Sequence, residues 1–398
     1  MPLEAVQEPL DRADELDVRH SEVRFLAEPV SLWGWGEAVR IELPAPWPEH
    51  VGRVAEVLRD IVTSDAGTWP GAGPVAIGAL PFRRDVPASL VVPAVVVGTD
   101  RDGRRWSTRV GQPPPGCHPL HEAESPSRLV VEDDRGVADW CAAVDDGTRR
   151  IARGDLAKVV LARRVSVTAD RAFDPRVLAE RLHRAHPRAL RFLVDGFVGA
   201  SPELLVSRAG DVVRAQPMAG TTARTGDPAA DQQRAAELLA SEKNRIEHQI
   251  TIDSLIDDLV GWCSYLDAEP EPHIAEAGPV QHLATLVEGR LSSPPPSVLE
   301  LVAAVHPTPA VGGWPRGSAL ELIRELEPHD RGRYAGPVGW VDAAGNGMFA
   351  VGIRSVTVEG PRAEVWAGVG VVADSDPATE LEETRSKLAA TLGSIVRL

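Results

Sequence analysis

Cysteine is scarce in this sequence, with three among 398 residues, and Cys117, Cys141 and Cys263 are scattered. So few thiols make no disulfide framework, and without a CxxC pair no structural zinc site is expected. They read as ordinary thiols of a reducing compartment. Basic tracts are missing as well. Lys and Arg total 42 against 58 Asp and Glu, a net charge of −16, and no polybasic run offers itself to a nucleic-acid backbone or an anionic membrane. Neither nucleic acid nor membrane is expected as a partner. Long apolar runs are also lacking: residues 88–98, the most apolar stretch, make roughly half a membrane span and contain Pro93. Residues 1–15 are acidic and have no signal-peptide core, so the cytoplasm is the expected compartment.

What remains is a globular composition, 43% hydrophobic and 25% charged. The length exceeds one typical domain by a factor of roughly two to three. Residues 3–136, rich in Pro and Gly, read as β-structure with long loops, interrupted at Pro113-Pro114-Pro115-Gly116. Helical spacing then sets in at Val137, Trp140, Val144, Thr148 and Ile151. A strand follows, in which Val159, Leu161, Val165 and Val167 share one parity and Lys158, Val160, Ala162 and Arg164 the other. Hairpin signals over 191–216 predict an antiparallel meander, and one long helix is expected over 229–262. A shorter helix at 318–326 precedes strands at 338–341, 349–358 and 363–372. Ser375-Asp376-Pro377 caps a last helix with an apolar stripe of Leu381, Leu388, Leu392 and Ile395. Without strict strand–helix alternation the fold class is α+β, with mixed or antiparallel sheets flanked by helices.

Several motifs invite chemistry and fail on context. Gly368-Val369-Gly370-Val371-Val372-Ala373 matches a dinucleotide fingerprint, but the chain left after it is too short for a βαβ unit. Gly199-Ala200-Ser201-Pro202-Glu203 begins like a nucleophile elbow, yet a proline and a glutamate replace its ending. Cys117, His118 and His121 lack a fourth ligand, and His183 and His186 lie on a basic helix face. On the last helix Glu380, Glu383 and Lys387 share one side, which taken alone is a solvated salt-bridged row. Lys243 and Glu247 could likewise be a simple i,i+4 pair.

Read together and in order, other segments carry more. They are Leu156-Ala157-Lys158-Val159-Val160-Leu161-Ala162-Arg163, Gly199 to Leu205, Pro217-Met218-Ala219-Gly220-Thr221 and Ser241-Glu242-Lys243-Asn244-Arg245-Ile246-Glu247-His248. Gln281-His282-Leu283, His306 to Pro315, Gly352-Ile353-Arg354, Gly368-Val369-Gly370 and Glu383 to Leu388 complete the set. In these segments the sequence resembles the chorismate-utilising enzymes, whose fold is that of anthranilate synthase component I: two packed sheets with flanking helices. The resemblance implies one chorismate-binding domain over 1–398, divergent over 1–136 and motif-bearing over 137–398.

Within the family the sequence looks most like the isochorismate synthases. That likeness implies Lys158 as the base that activates water and Glu203 as the acid that protonates the departing C4 hydroxyl. It implies Mg2+ held by Glu247 and Glu383, with Glu380 as a possible additional ligand. Chorismate itself would meet Gly220, Thr221, His282, Ala310, Val311, Tyr334, Arg354, Gly368, Gly370 and Lys387. Ala219 cannot form the adduct that a lysine makes there in one group of aminodeoxychorismate synthases, and no glutamine amidotransferase subunit is expected. Two alternatives remain: a salicylate synthase, which goes on to eliminate pyruvate, and a catalytically silent chorismate-binding relative.

Overall fold

A computed structural model describes residues 3–9, 17–64, 67–111, 126–278 and 280–396. The segment at 113–116 and the group Cys117, His118 and His121 lie outside these residues. The parity at Val159, Leu161, Val165 and Val167 becomes the strand Lys158–Ala169, buried on both faces along its first half. It runs antiparallel to Arg362–Val371 in an unbroken ladder from Val159↔Val371 to Thr168↔Arg362. The outer face of this ladder takes Trp140, Val144 and Ile151 of the helix Val137–Ala152. Further along, Leu388 and Ile395 of the last helix, Pro377–Val396, cover Val165 and Val167. Apolar residues at helical and strand spacing thus meet on one seam.

Two sheets of thirteen and nine strands, and a small one of three, make up the β-structure of the described residues. The ladders are antiparallel except that of Glu4–Pro9 with Val62–Ser64. Strands of the N-terminal third enter both large sheets: Val23–Leu26 pairs with Leu190–Val194, and Val75–Ala79 pairs with Pro337–Asp342. Among the described residues no helix is long and apolar enough to cross a membrane.

Three expectations from the sequence are corrected. The stretch 191–216 is no single meander: Leu190–Val194 and Phe197–Ser201 belong to the thirteen-stranded sheet, and Leu204–Ala209 and Val212–Gln216 to the nine-stranded one. The expected strand over 349–358 is likewise two, Gly347–Val351 and Ser355–Glu359, in different sheets. Its break is physical, because Arg354 has φ of 52°, which no strand tolerates. The expected helix over 229–262 divides into Pro228–Ala240 and Glu242–Val260 at Ser241. Ser241 leaves helical geometry at ψ of 110°, and its side chain accepts the Asn244 N–H as the cap of a new helix.

Candidate active site

The two places where the chain changes sheets build one wall of a cavity. At Pro202-Glu203 it leaves the larger sheet for the smaller, and at Gly352-Ile353-Arg354 it returns. These crossings hold each other, since the Val351 N–H donates to the Glu203 carbonyl at 3.1 Å and the Ala200 N–H donates to the Arg354 carbonyl at 3.1 Å. Residues at a crossing belong to no regular ladder, so Glu203 and Arg354 both face the cavity of about 110 Å3 that opens between the sheets.

The three-stranded sheet forms a second wall. Within it Met218–Ala223 pairs with Val280–Ala284 and sets Thr221 opposite His282. The His282 Nδ1 lies 3.0 Å from Thr221 Oγ1 and 3.3 Å from the Gly220 carbonyl, and Nε2 lies 3.4 Å from Arg354 Nη2. A guanidinium can only donate, so Nε2 accepts and Nδ1 carries the proton. Burial, then Arg354 and Lys387, hold this ring far below the usual histidine range, fixing it neutral.

The remaining walls come from the Thr308–Gly312 turn, which presents Ala310 and Val311, and from Tyr334, stacked on Trp366 at 5.7 Å between ring centroids. Gly368 and Gly370 of the strand Arg362–Val371 let the main chain reach the cavity. Lys387 reaches back from the last helix to donate to the Gly368 carbonyl at 2.9 Å and to pair with Glu383 at 2.6 Å.

The structure therefore gathers every residue expected from the sequence around one cavity except Lys158, which sits just behind its surface. Lys158 is fully buried, with Nζ 2.8 Å from Glu247 Oε1. A methyl group placed on Gly370 would fall 3.1 Å from Lys158 Cε and inside contact distance of Glu247 Oε1. Gly370→Ala is thus expected to push this pair apart and lower kcat by about 100-fold, measurable in steady-state kinetics. A variant with unchanged kcat would show that the pair has no part in turnover.

Electrostatics separates the carboxyl groups. Glu203, 3% exposed, is pushed up from 4.5 to about 8 by burial, against the Met218 N–H that it accepts and the pull of Lys158. Glu380 is raised from 4.5 to about 7 by burial, with Glu383 and Glu247 adding repulsion. Far from being a solvated row, the last helix turns Glu380 inward at 3% exposure. Lys243 pairs with Glu380 at 3.8 Å, not with Glu247. Among the described residues no three His, Cys, Asp or Glu groups already form a metal cage. Even so, three carboxylates that repel one another beside a cavity supply oxygen donors of the kind that a hard divalent ion takes.

Sequence reasoning missed Asn244, Met218 and Arg331, which also line the cavity. Asn244 lay within a segment already singled out. Arg331 offered only its i,i+4 spacing from Glu327, a pattern that usually marks a surface pair.

Comparison with known proteins agrees with this geometry. The family model of chorismate-binding enzymes matches residues 116–396. A Mycobacterium tuberculosis protein provisionally named isochorismate synthase MenF is 41% identical over 349 residues, covering 84% of this chain and 90% of the relative. Isochorismate synthase DhbC of Bacillus subtilis is 37% identical over 352 residues, covering 86% of this chain and 84% of its own. In fold, the menaquinone-specific isochorismate synthase MenF of Escherichia coli superposes with a TM-score of 0.83 at 22% identity, over 99% of this chain and 95% of that one. On the family match and these identities, the chain belongs to the chorismate-binding enzymes.

Proposed function

We propose that this chain is an isochorismate synthase, an isomerase that adds water at C2 of chorismate while C4 loses its hydroxyl as water. The observation that carries this reading is a buried acid and a buried lysine at one cavity: Glu203, which keeps its proton at neutral pH, and Lys158 behind the Gly370 surface. Lys158 takes the proton of the attacking water, and Glu203 gives its own to the leaving hydroxyl. Arg354 and Lys387 are the cations for one substrate carboxylate, aided by main-chain N–H groups near Gly220, Thr221, Gly368 and Gly370. Neutral His282, held by Thr221, orients the ring, and Ala310, Val311 and Tyr334 enclose it.

Glu247 and Glu383, with Glu380 beside them, would hold Mg2+, which when bound neutralises the ring carboxylate and clamps it. Because water is the nucleophile, no ammonia-supplying amidotransferase is needed. The reading takes the whole chain as one cytoplasmic domain, its first 136 residues completing both sheets.

The test is to incubate the purified protein with chorismate and Mg2+ and to separate the products. Isochorismate is expected, with turnover lost in EDTA and restored by excess Mg2+. Salicylate and pyruvate without a second enzyme would instead make it a salicylate synthase. Turnover indifferent to EDTA would remove the metal.

A further inference from the structure

One buried ion pair lies in the cavity wall with no part in the chemistry proposed above. Arg331 and Glu327 are each 2% exposed at the side chain, joined by Nε to Oε2 at 2.8 Å and Nη2 to Oε1 at 2.5 Å. The guanidinium also donates from Nη1 to the Val311 carbonyl at 2.8 Å and from Nη2 to the Val160 carbonyl at 2.7 Å. Four of the five N–H groups of an arginine are thereby committed to protein acceptors. Glu327 in turn accepts the Ala162 N–H at 2.7 Å.

The segments tied together are those that must be in register for the reaction. Val160 and Ala162 flank the strand residue Leu161, two and four places beyond Lys158, and Val311 lies in the turn that encloses the ring. The Arg331 carbonyl accepts the Tyr334 N–H at 2.9 Å, so the turn presenting Tyr334 closes on the same residue. The guanidinium also lies over the Phe82 ring at 4.4 Å, and the Phe82 N–H donates to the Gly332 carbonyl at 2.8 Å, which brings the N-terminal third into the same anchor. A surface contact would not need so many partners.

We propose that Arg331 is a positioning residue: through the Val160 and Val311 carbonyls it fixes the separation of the Lys158 strand from the loop that holds the substrate ring. The inference rests on the function proposed above. A planar fork that donates in several fixed directions at once can do this, whereas an ammonium of a single centre cannot reach both carbonyls and Glu327 together. Misplacement of reacting groups by about 1 Å costs about 100-fold in rate, without much change in the contacts that bind the ground state.

The test uses two variants of the full chain. In Glu327→Gln/Arg331→Met both charges go together, so no lone charge stays buried, and the glutamine carbonyl still accepts the Ala162 N–H. Arg331→Lys keeps the charge and loses the fork. Both are expected to fold, by circular dichroism and thermal unfolding, with kcat lower by about 100-fold and KM within about threefold. A folded variant of either kind with wild-type kcat overturns the proposal, as does a loss confined to KM. Wild-type protein that leaves chorismate unchanged would fail the functional reading itself, while active wild type beside unaffected variants would fail the positioning role alone.

Discussion

Glu203→Gln is expected to stop turnover and, at neutral pH, to make the folded protein more stable. Glutamine keeps the shape and can still accept the Met218 N–H, but it has no proton to give, so kcat should fall by about 10²–10⁴. The stability effect follows from the same burial. With a folded pKa raised from 4.5 to about 8, the carboxyl group is protonated in both states below pH 4.5 and costs nothing. As pH rises the unfolded chain ionises while the folded one does not. Each pH unit therefore costs the folded state about 1.4 kcal/mol, or about 3 kcal/mol by pH 7, and the loss levels off above pH 8. Glutamine does not titrate and escapes this cost. Thermal unfolding at pH 4.5 and pH 8 checks the sign: the variant should melt with wild type at the lower pH and several degrees higher at the upper. Turnover by wild type should decline as pH rises through about 8, where the acid loses its proton. Activity of the variant within tenfold of wild type would strip Glu203 of its role.

The burial that raises Glu203 lies where the chain was hardest to read from its sequence. Periodicity found what packing demands: the parity of Lys158–Ala169 and the apolar stripe of the last helix are both core patterns, repeated over many residues. The same method failed where the chain departs from repetition. Over 349–358 the apolar residues change parity, from Phe349, Val351 and Ile353 to Val356 and Val358, but that slip does not say that Arg354 takes φ of 52° and sends the chain into another sheet. Pro202-Glu203 makes the earlier crossing within what looked like a meander. Both sheet changes bear site residues, so the local irregularity and the chemistry coincide.

Pairing was the other blind spot. Sequence spacing offered Lys243 with Glu247, while the fold gives Glu247 to Lys158 and Glu380 to Lys243, across elements far apart in the chain. Among the pairs of Lys158, Lys243 and Lys387 with carboxylates, that of Lys387 with Glu383 alone follows the i,i+4 rule. Ordered family-like segments picked out residues that line one cavity, but the partnership of Glu247 and Glu380 with lysines from other elements is a tertiary fact. So is the burial that raises Glu203 and Glu380.

Lys158→Met carries the second large effect. Lys158 is among the largest fully buried side chains, so methionine is preferred to alanine because it fills most of the volume and leaves the loss of the amine as the main change. The Glu247 carboxylate, 2.8 Å away, holds Nζ in place, and once it has given up a proton the amine has a lone pair with which to take one from a water molecule at the cavity. Without the amine no group in that place takes the proton of water, and kcat should fall by about 10²–10⁴. Glu247 would lose its counter-charge. Because that carboxylate is 14% exposed, the expected destabilisation is about 1–3 kcal/mol, short of the cost for a fully enclosed charge. A divalent cation on Glu247 would replace the missing charge, so the melting temperature of Lys158→Met should rise more on adding Mg2+ than that of wild type. Steady-state kinetics and thermal unfolding with EDTA or Mg2+ read both effects. Turnover within tenfold of wild type would remove Lys158 as the base, and equal Mg2+ shifts in the two proteins would separate Glu247 from the metal.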